Sequence, residues 1–215
     1  VRRRSRDAGV RRTVHQVSSW FLSYPDADLV KRLPLLMSAV EELPPSAGDA
    51  TRAGLVELGE HLSGTPLPDL QRGYVELFDL SRHRAMHLSY WTDGDTRRRG
   101  EVLGRFKSAY RASGFLVQTG GELPDHLPMV LEFAAIADPV AGAALLQEYR
   151  ASIELIRLEL LERGSPYAGA LTAVCATLPG ESPADRAAAR ALAGPPPAES
   201  VGLEPYDPRL LPVLT

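Results

Sequence analysis

Cysteine is nearly missing from this chain: Cys175 is the only one in 215 residues. A single thiol closes no internal disulfide and builds no cysteine-based zinc site, and such usage fits a reducing compartment. Aromatic residues are few, at 7%, beside 44% hydrophobic residues overall. That balance is ordinary for a soluble chain. No run of eighteen apolar residues occurs, so no segment is expected to span a membrane. The phosphate-cradling patterns GxxxxGK[ST] and GxGxxG are absent, as is the GxSxG nucleophile elbow. Strand-type alternation and internal repeats are absent too. What remains is a helical chain without a recognisable catalytic motif, long enough to bury about 70% of its unfolded surface.

Charge is unevenly spread. The formal net charge is −3, yet "VRRRSRDAGVRR" at 1–12 holds six arginines and one aspartate. That local +5 leaves −8 on the rest. An acidic body argues against nucleic acid as partner and suits a partner with a basic segment. The residues that follow, "TVHQVSSWFLSYP", are amphipathic and do not form the apolar stretch of an export signal. Residues 1–12 are therefore expected to be a disordered basic tail without an export role.

Helical periodicity runs through most of the chain. Thr13 and Gln16 have the spacing of a capping box ahead of a stripe of Val14, Val17, Trp20/Phe21 and Tyr24. Residues 26–43 form a second helix that Pro34 should kink or divide. A third carries Leu55, Leu58 and Leu62. Asp69 is expected to cap a fourth with Leu70, Tyr74, Leu77 and Phe78 on its stripe. Residues 96–112 form another, stopped at Ser113-Gly114. A further helix spans about 126–137, broken at Asp138-Pro139. The longest is expected over 140–163, with Glu154–Arg157 and Glu159–Arg163 pairs on its outer face. Ser165-Pro166 opens a last helix through Leu178. The expected fold is all-α, a single helical-bundle domain of about seven to nine helices over 13–180. Residues 181–215 read as a Pro/Ala-rich linker and tail, with a short helix near 183–193.

The most suggestive chemistry is "FDLSRHRAMHLSYWTDGDTRRRG" at 78–100. Asp79, His83 and His87 stand four residues apart, as metal ligands on a helix would. If one helix continued to His87, however, the three would share an outer polar face opposite the Leu70/Tyr74/Leu77 stripe. The "HRAMH" segment also lacks the glutamate of a zinc protease. Solvated surface residues are the simpler reading, and a metal-dependent enzyme using Asp79, His83 and His87 is the alternative. In "ELPDH", Asp125 is expected to cap the following helix. Cys175 falls at a core position, as a buried inert thiol.

Three stretches occur together in order: "YVELFD" at 74–79, "GDTRRRG" at 94–100 and "ELPDHLPMVLEF" at 122–133, with "LSYPD" at 22–26 ahead of them. The combination resembles the nitrate reductase molybdenum cofactor assembly chaperones of the NarJ type, within the TorD/DmsD-like redox-enzyme maturation proteins. The resemblance covers roughly 13–180. It implies an all-helical, cytoplasmic protein that is not an enzyme and holds no cofactor of its own. The implied partner is the alpha, catalytic subunit of respiratory nitrate reductase, bound through its N-terminal segment while its molybdenum cofactor is inserted. The implied client-binding residues are Tyr74, Glu76, Phe78 and Asp79 from the first motif. The second motif supplies Asp95, Arg97, Arg99 and Gly100. From the third come Glu122, Pro124, Asp125, His126 and Glu132. Neither nucleic-acid binding nor direct membrane insertion is implied, and monomer and homodimer both stay open. An unrelated helical adaptor is a further alternative.

Overall fold

The computed structural model describes residues 2–80, 84–93, 98–115 and 120–193. Among them the all-α class holds and no strand forms. The helices are α1 (Arg2–Leu22), α2 (Ala27–Glu41), α3 (Asp49–Gly64), α4 (Leu67–Tyr74), α5 (Leu88–Asp93) and α6 (Arg98–Ala112). Then come α7 (Leu127–Glu132), α8 (Pro139–Glu148), α9 (Arg150–Glu162), α10 (Tyr167–Ala176) and α11 (Arg186–Ala191). Helices α4 and α7 each run on through one wider π turn, Val75–Asp79 and Phe133–Ala137. No helix among the described residues is long and apolar enough to cross a membrane.

The first helix differs from expectation. It starts at Arg2 and passes through Thr13 without a break, so residues 2–12 continue α1 and Thr13 caps nothing. The segment is rich in arginine, a good helix former, and contains no proline, so nothing stops the helix there. Val14, Val17, Phe21 and Leu22 are buried, and α1 packs against α2, α7 and α10. His15 is buried with them, its Nε2 2.8 Å from Thr177 Oγ1.

Pro34 does not divide α2. Its ring faces outward, where the missing backbone hydrogen bond is tolerated, and Leu29, Leu33, Leu36 and Val40 bury the other face. Asp26, not a residue of the helix itself, caps α2 by accepting from Leu29 N at 2.7 Å. Asp69 lies within the first turn of α4 and pairs with Arg72 at 2.7 Å, while Pro66 occupies the cap position. Helices α3 and α10 cross closely at Gly54 and Gly169. A side chain on Gly169 would stand 2.2 Å from the Gly54 carbonyl oxygen, so only glycine fits there.

The helix expected over 140–163 is two helices, broken at Tyr149 (φ −100°, ψ 21°). Tyr149 is buried, and its ring lies 5.0 Å from that of Phe106. The apolar period continues across the break because Leu146, Tyr149 and Ile153 all enter the same core. Asp138 starts α8 by accepting from Val140 N and Ala141 N. The ion pairs expected on α9 do form, Arg157–Glu154 at 2.6 Å and Arg163–Glu159 at 2.9 Å. Glu154, however, is fully buried. The segment 179–191 lies over it: Arg150 donates to the carbonyls of Pro179 and Gly180, and Arg157 to that of Pro183. Ala189 of α11 then packs on Leu155 and Leu158. The start of the expected linker is thus bound to α9. Residues 194–215 lie outside the described residues.

Candidate functional site

The site is built where two chain segments meet. The π turn at Val75–Asp79 ends α4, and Leu80 N closes it by donating to Val75 O at 3.1 Å. The helix therefore does not continue to His87, and the surface position expected for His87 does not hold. Residues 84–87 instead run alongside 124–127. Leu88 N donates to Asp125 O at 3.1 Å and Leu127 N to Met86 O at 2.8 Å, a short antiparallel bridge between His87 and His126. Proline at 124 keeps residue 123 out of the helical region, and α7 begins at Leu127 after an extended His126.

Asp125 holds this junction together. It is fully buried, and its Oδ2 accepts from Ser89 N at 3.0 Å and Ser89 Oγ at 2.6 Å. Its Oδ1 lies 3.4 Å from His87 Nδ1. Burial opposes its charge, but the contacts with His87 and Ser89 outweigh this and hold the carboxyl below its ordinary range. Asp125 therefore supports the start of α5, not that of α7, whose cap position is taken by His126 without a side-chain bond. Three tyrosine and serine hydroxyls fix the surroundings. Tyr110 donates to Pro124 O at 2.6 Å, Tyr74 to Leu22 O at 2.9 Å, and Ser19 to Pro128 O at 2.8 Å.

Above Asp125 lies a cavity of about 330 Å³. Its aromatic walls are Tyr24, Tyr74 and Phe78, and its polar groups are Asp79, His87, Glu122 and His126. Tyr74 meets Tyr24 edge-on at 5.5 Å and Phe78 at 4.8 Å. The rings of His87 and His126 lie 5.3 Å apart. Burial, then the neighbouring His87, push His126 from 6.5 down to about 4, so it is neutral at pH 7. Burial raises the Tyr74 phenol far above its ordinary value, with the charges of Asp79 and Glu122 adding to it. A second cavity, of about 420 Å³, lies on the other side of Tyr74 and is bordered by Glu76, Leu77, Arg84 and Tyr167.

The structure brings five of the expected residues to the first cavity: Tyr74, Phe78, Asp79, Glu122 and His126. Pro124 and Asp125 are buried beneath it. Glu76 belongs to the second cavity. Glu132 is exposed at the end of α7 and borders neither. Arg99 lies over the Tyr90 ring at 5.7 Å, away from the cavity lining. Gly100 is exposed. Asp95, Arg97 and His83 lie outside the described residues. Tyr24, Ala85, Met86 and His87 also line the cavity and were not among the expected client-binding residues, His87 having been considered only as a metal ligand. For Tyr24 the "LSYPD" motif carried a signal, whereas His87 was misplaced by extending α4 too far. Among the described residues, no group of three or more His, Cys, Asp or Glu is arranged to hold a metal ion.

The helical bundle has the fold of a redox-enzyme maturation protein. A solved structure from Archaeoglobus fulgidus described in those words aligns with a TM-score of 0.56 and 25% identity, covering 76% of this chain and 91% of that one. The chain belongs to the nitrate reductase delta subunit family, whose profile matches residues 45–173. It is 32% identical over 160 residues to the nitrate reductase molybdenum cofactor assembly chaperone NarJ of Bacillus subtilis, covering 74% of this chain and 85% of that protein. It is 31% identical to Escherichia coli NarJ over 71% of this chain and 64% of the relative. The similarity to the nitrate reductase-like protein NarX of Mycobacterium tuberculosis is 38% identity over 76% of this chain. There the match spans about a quarter of the relative, 24% of its length.

Proposed function

We propose that this chain is a system-specific cytoplasmic chaperone for respiratory nitrate reductase. It binds the catalytic (alpha) subunit through that subunit's N-terminal segment and supports molybdenum cofactor insertion before the enzyme reaches its membrane anchor. The observation that carries the reading is the convergence of Tyr74, Phe78, Asp79, Glu122 and His126, from two distant motifs, on one cavity. The chain's relation to NarJ proteins supports the client assignment.

The physical basis is groove recognition. An amphipathic client segment sets apolar side chains against rings such as Tyr24 and Phe78 and its basic groups near Asp79 and Glu122. The acidic body of the chain favours the encounter. The chain performs no chemistry in this scheme. The test is co-purification from the native host. The catalytic subunit should accompany this chain when its cofactor supply is blocked, and recovery of some unrelated protein instead would favour the adaptor reading. The metal-enzyme reading rests on Asp79 and His87 bordering one cavity. Stoichiometric zinc, manganese or iron in untagged protein would favour it.

A further inference from the structure

We propose that the cavity between Tyr74, Phe78, Asp79 and Glu122 receives one basic side chain of the bound segment, a lysine ammonium or an arginine guanidinium. This rests on the chaperone reading and names what the site selects.

Charge is the first argument. Asp79 and Glu122 both border the cavity, and no lysine or arginine lines it among the described residues. Asp79 is exposed and has no ion-pair partner among those residues. Among the described residues Glu122 pairs with His87 alone, with Nε2 at 3.9 Å, and its side chain is 55% exposed. The cavity therefore presents two carboxylates that a guest cation would satisfy.

Wall chemistry points the same way. Three aromatic rings border the space, and aromatic faces attract a cation. His126, neutral at pH 7, does not compete with the guest. Size is the third argument. About 330 Å³ lies at the low end of small-ligand sites, roughly 300–1,000 Å³, which fits one long side chain better than a folded segment. The neighbouring cavity beyond Tyr74 carries both signs, with Arg84 and Arg163 beside Asp69 and Glu76. Selection by positive charge is thereby confined to the first cavity, and a segment crossing Tyr74 is read in one register.

Two measurements test this. In the first, the full chain is titrated calorimetrically with the N-terminal 20-residue peptide of the host's nitrate reductase catalytic subunit. Each arginine of the peptide is then replaced singly by citrulline and each lysine by norleucine. One replacement should weaken binding about tenfold, and the same replacement should cost less than twofold against D79N/E122Q. Equal losses against both proteins overturn the proposal. Both changed side chains are exposed, so the thermal midpoint of the variant serves as the folding control. In the second, the chain is titrated with Nα-acetyl-arginine methyl ester while the His126 and Tyr74 resonances are followed by NMR. Arginine ester should shift them and the citrulline ester should not. Equal response to the two esters, or none to either, overturns the proposal. Peptide binding without coupling removes the cation pocket but leaves the chaperone reading. Selective ester binding without any peptide binding does the reverse.

Discussion

Replacing Asp125 tests how the site is held. The carboxylate has no exposure, accepts two hydrogen bonds from Ser89 and lies 3.4 Å from His87. Asp125→Ala removes a charged acceptor from both Ser89 donors and a charge partner from His87. Each hydrogen bond to a charged group contributes about 1.5–3 kcal/mol, so the loss should be about 3–5 kcal/mol. At about 2–4 °C per kcal/mol for a chain of this size, the melting midpoint should fall by about 10 °C. Ser89→Ala removes the 2.6 Å hydroxyl bond to Asp125 and should cost at least about 1.5 kcal/mol. The double variant should cost less than the sum of the two single losses, because the hydroxyl–carboxylate bond is counted in both. Asp125→Asn keeps a neutral acceptor and should lose about 1–2 kcal/mol. Urea unfolding of the four proteins gives the cycle. A loss below about 1 kcal/mol for Asp125→Ala, or strict additivity with Ser89→Ala, would refute the supporting role assigned to this carboxylate. It follows that impaired maturation by Asp125 variants must be measured at a temperature where the variant is folded.

Acid should destabilise the chain in a defined window. His15 and His126 are both held at about 4 when folded, against 6.5 when exposed, so the unfolded chain takes up their protons first. Stability should be complete above pH 6.5, decline as pH falls towards 4 and level off below it. His15 alone should account for about 2 kcal/mol between pH 7 and pH 5, measurable by urea unfolding, and a flat profile would contradict the buried neutral state. Asp125 extends the decline lower, since its stabilisation is present above the ordinary carboxylate range and lost as pH passes down through its own depressed value. Tyr110→Phe removes a 2.6 Å bond to Pro124 O and should cost about 1 kcal/mol in the same assay. Gly169→Ala should cost about 2–3 kcal/mol by forcing α3 and α10 apart. Gly104→Ala, with open space at its Cβ, should be neutral or stabilising by up to about 1 kcal/mol. Glu132→Gln, exposed and outside both cavities, should leave peptide affinity within twofold in calorimetry.

Local signals read well where the chain obeys one period between clear stops. The Val14/Val17/Phe21 stripe and the Asp138-Pro139 break stand where their chemistry put them, whereas α10 starts one residue later than expected, with Pro166 and not Ser165 at the cap position and no side-chain cap bond. Periodicity failed where a helix breaks while its apolar pattern continues, as at Tyr149. It failed again where a π turn ends a helix with no proline or glycine to announce it, as at Leu80. That second failure hid half of the site, because it carried His87 to a surface it does not occupy. Asp125 shows a different limit. It was read as the cap of the helix that follows it, but its carboxylate accepts from Ser89, 36 residues earlier in the chain. Nothing in local spacing distinguishes the two helices it could serve. The motif residues themselves were legible only in combination, and their convergence on Tyr74 is a property of the fold.

The central claim is that this chain prepares the catalytic subunit of nitrate reductase to receive its cofactor. The most direct measurement is the molybdenum content of that subunit, purified from a host lacking this chain and from the same host with the chain restored. The account predicts a molybdenum-poor subunit in the first case and full occupancy in the second. A subunit loaded equally well without the chain would contradict it.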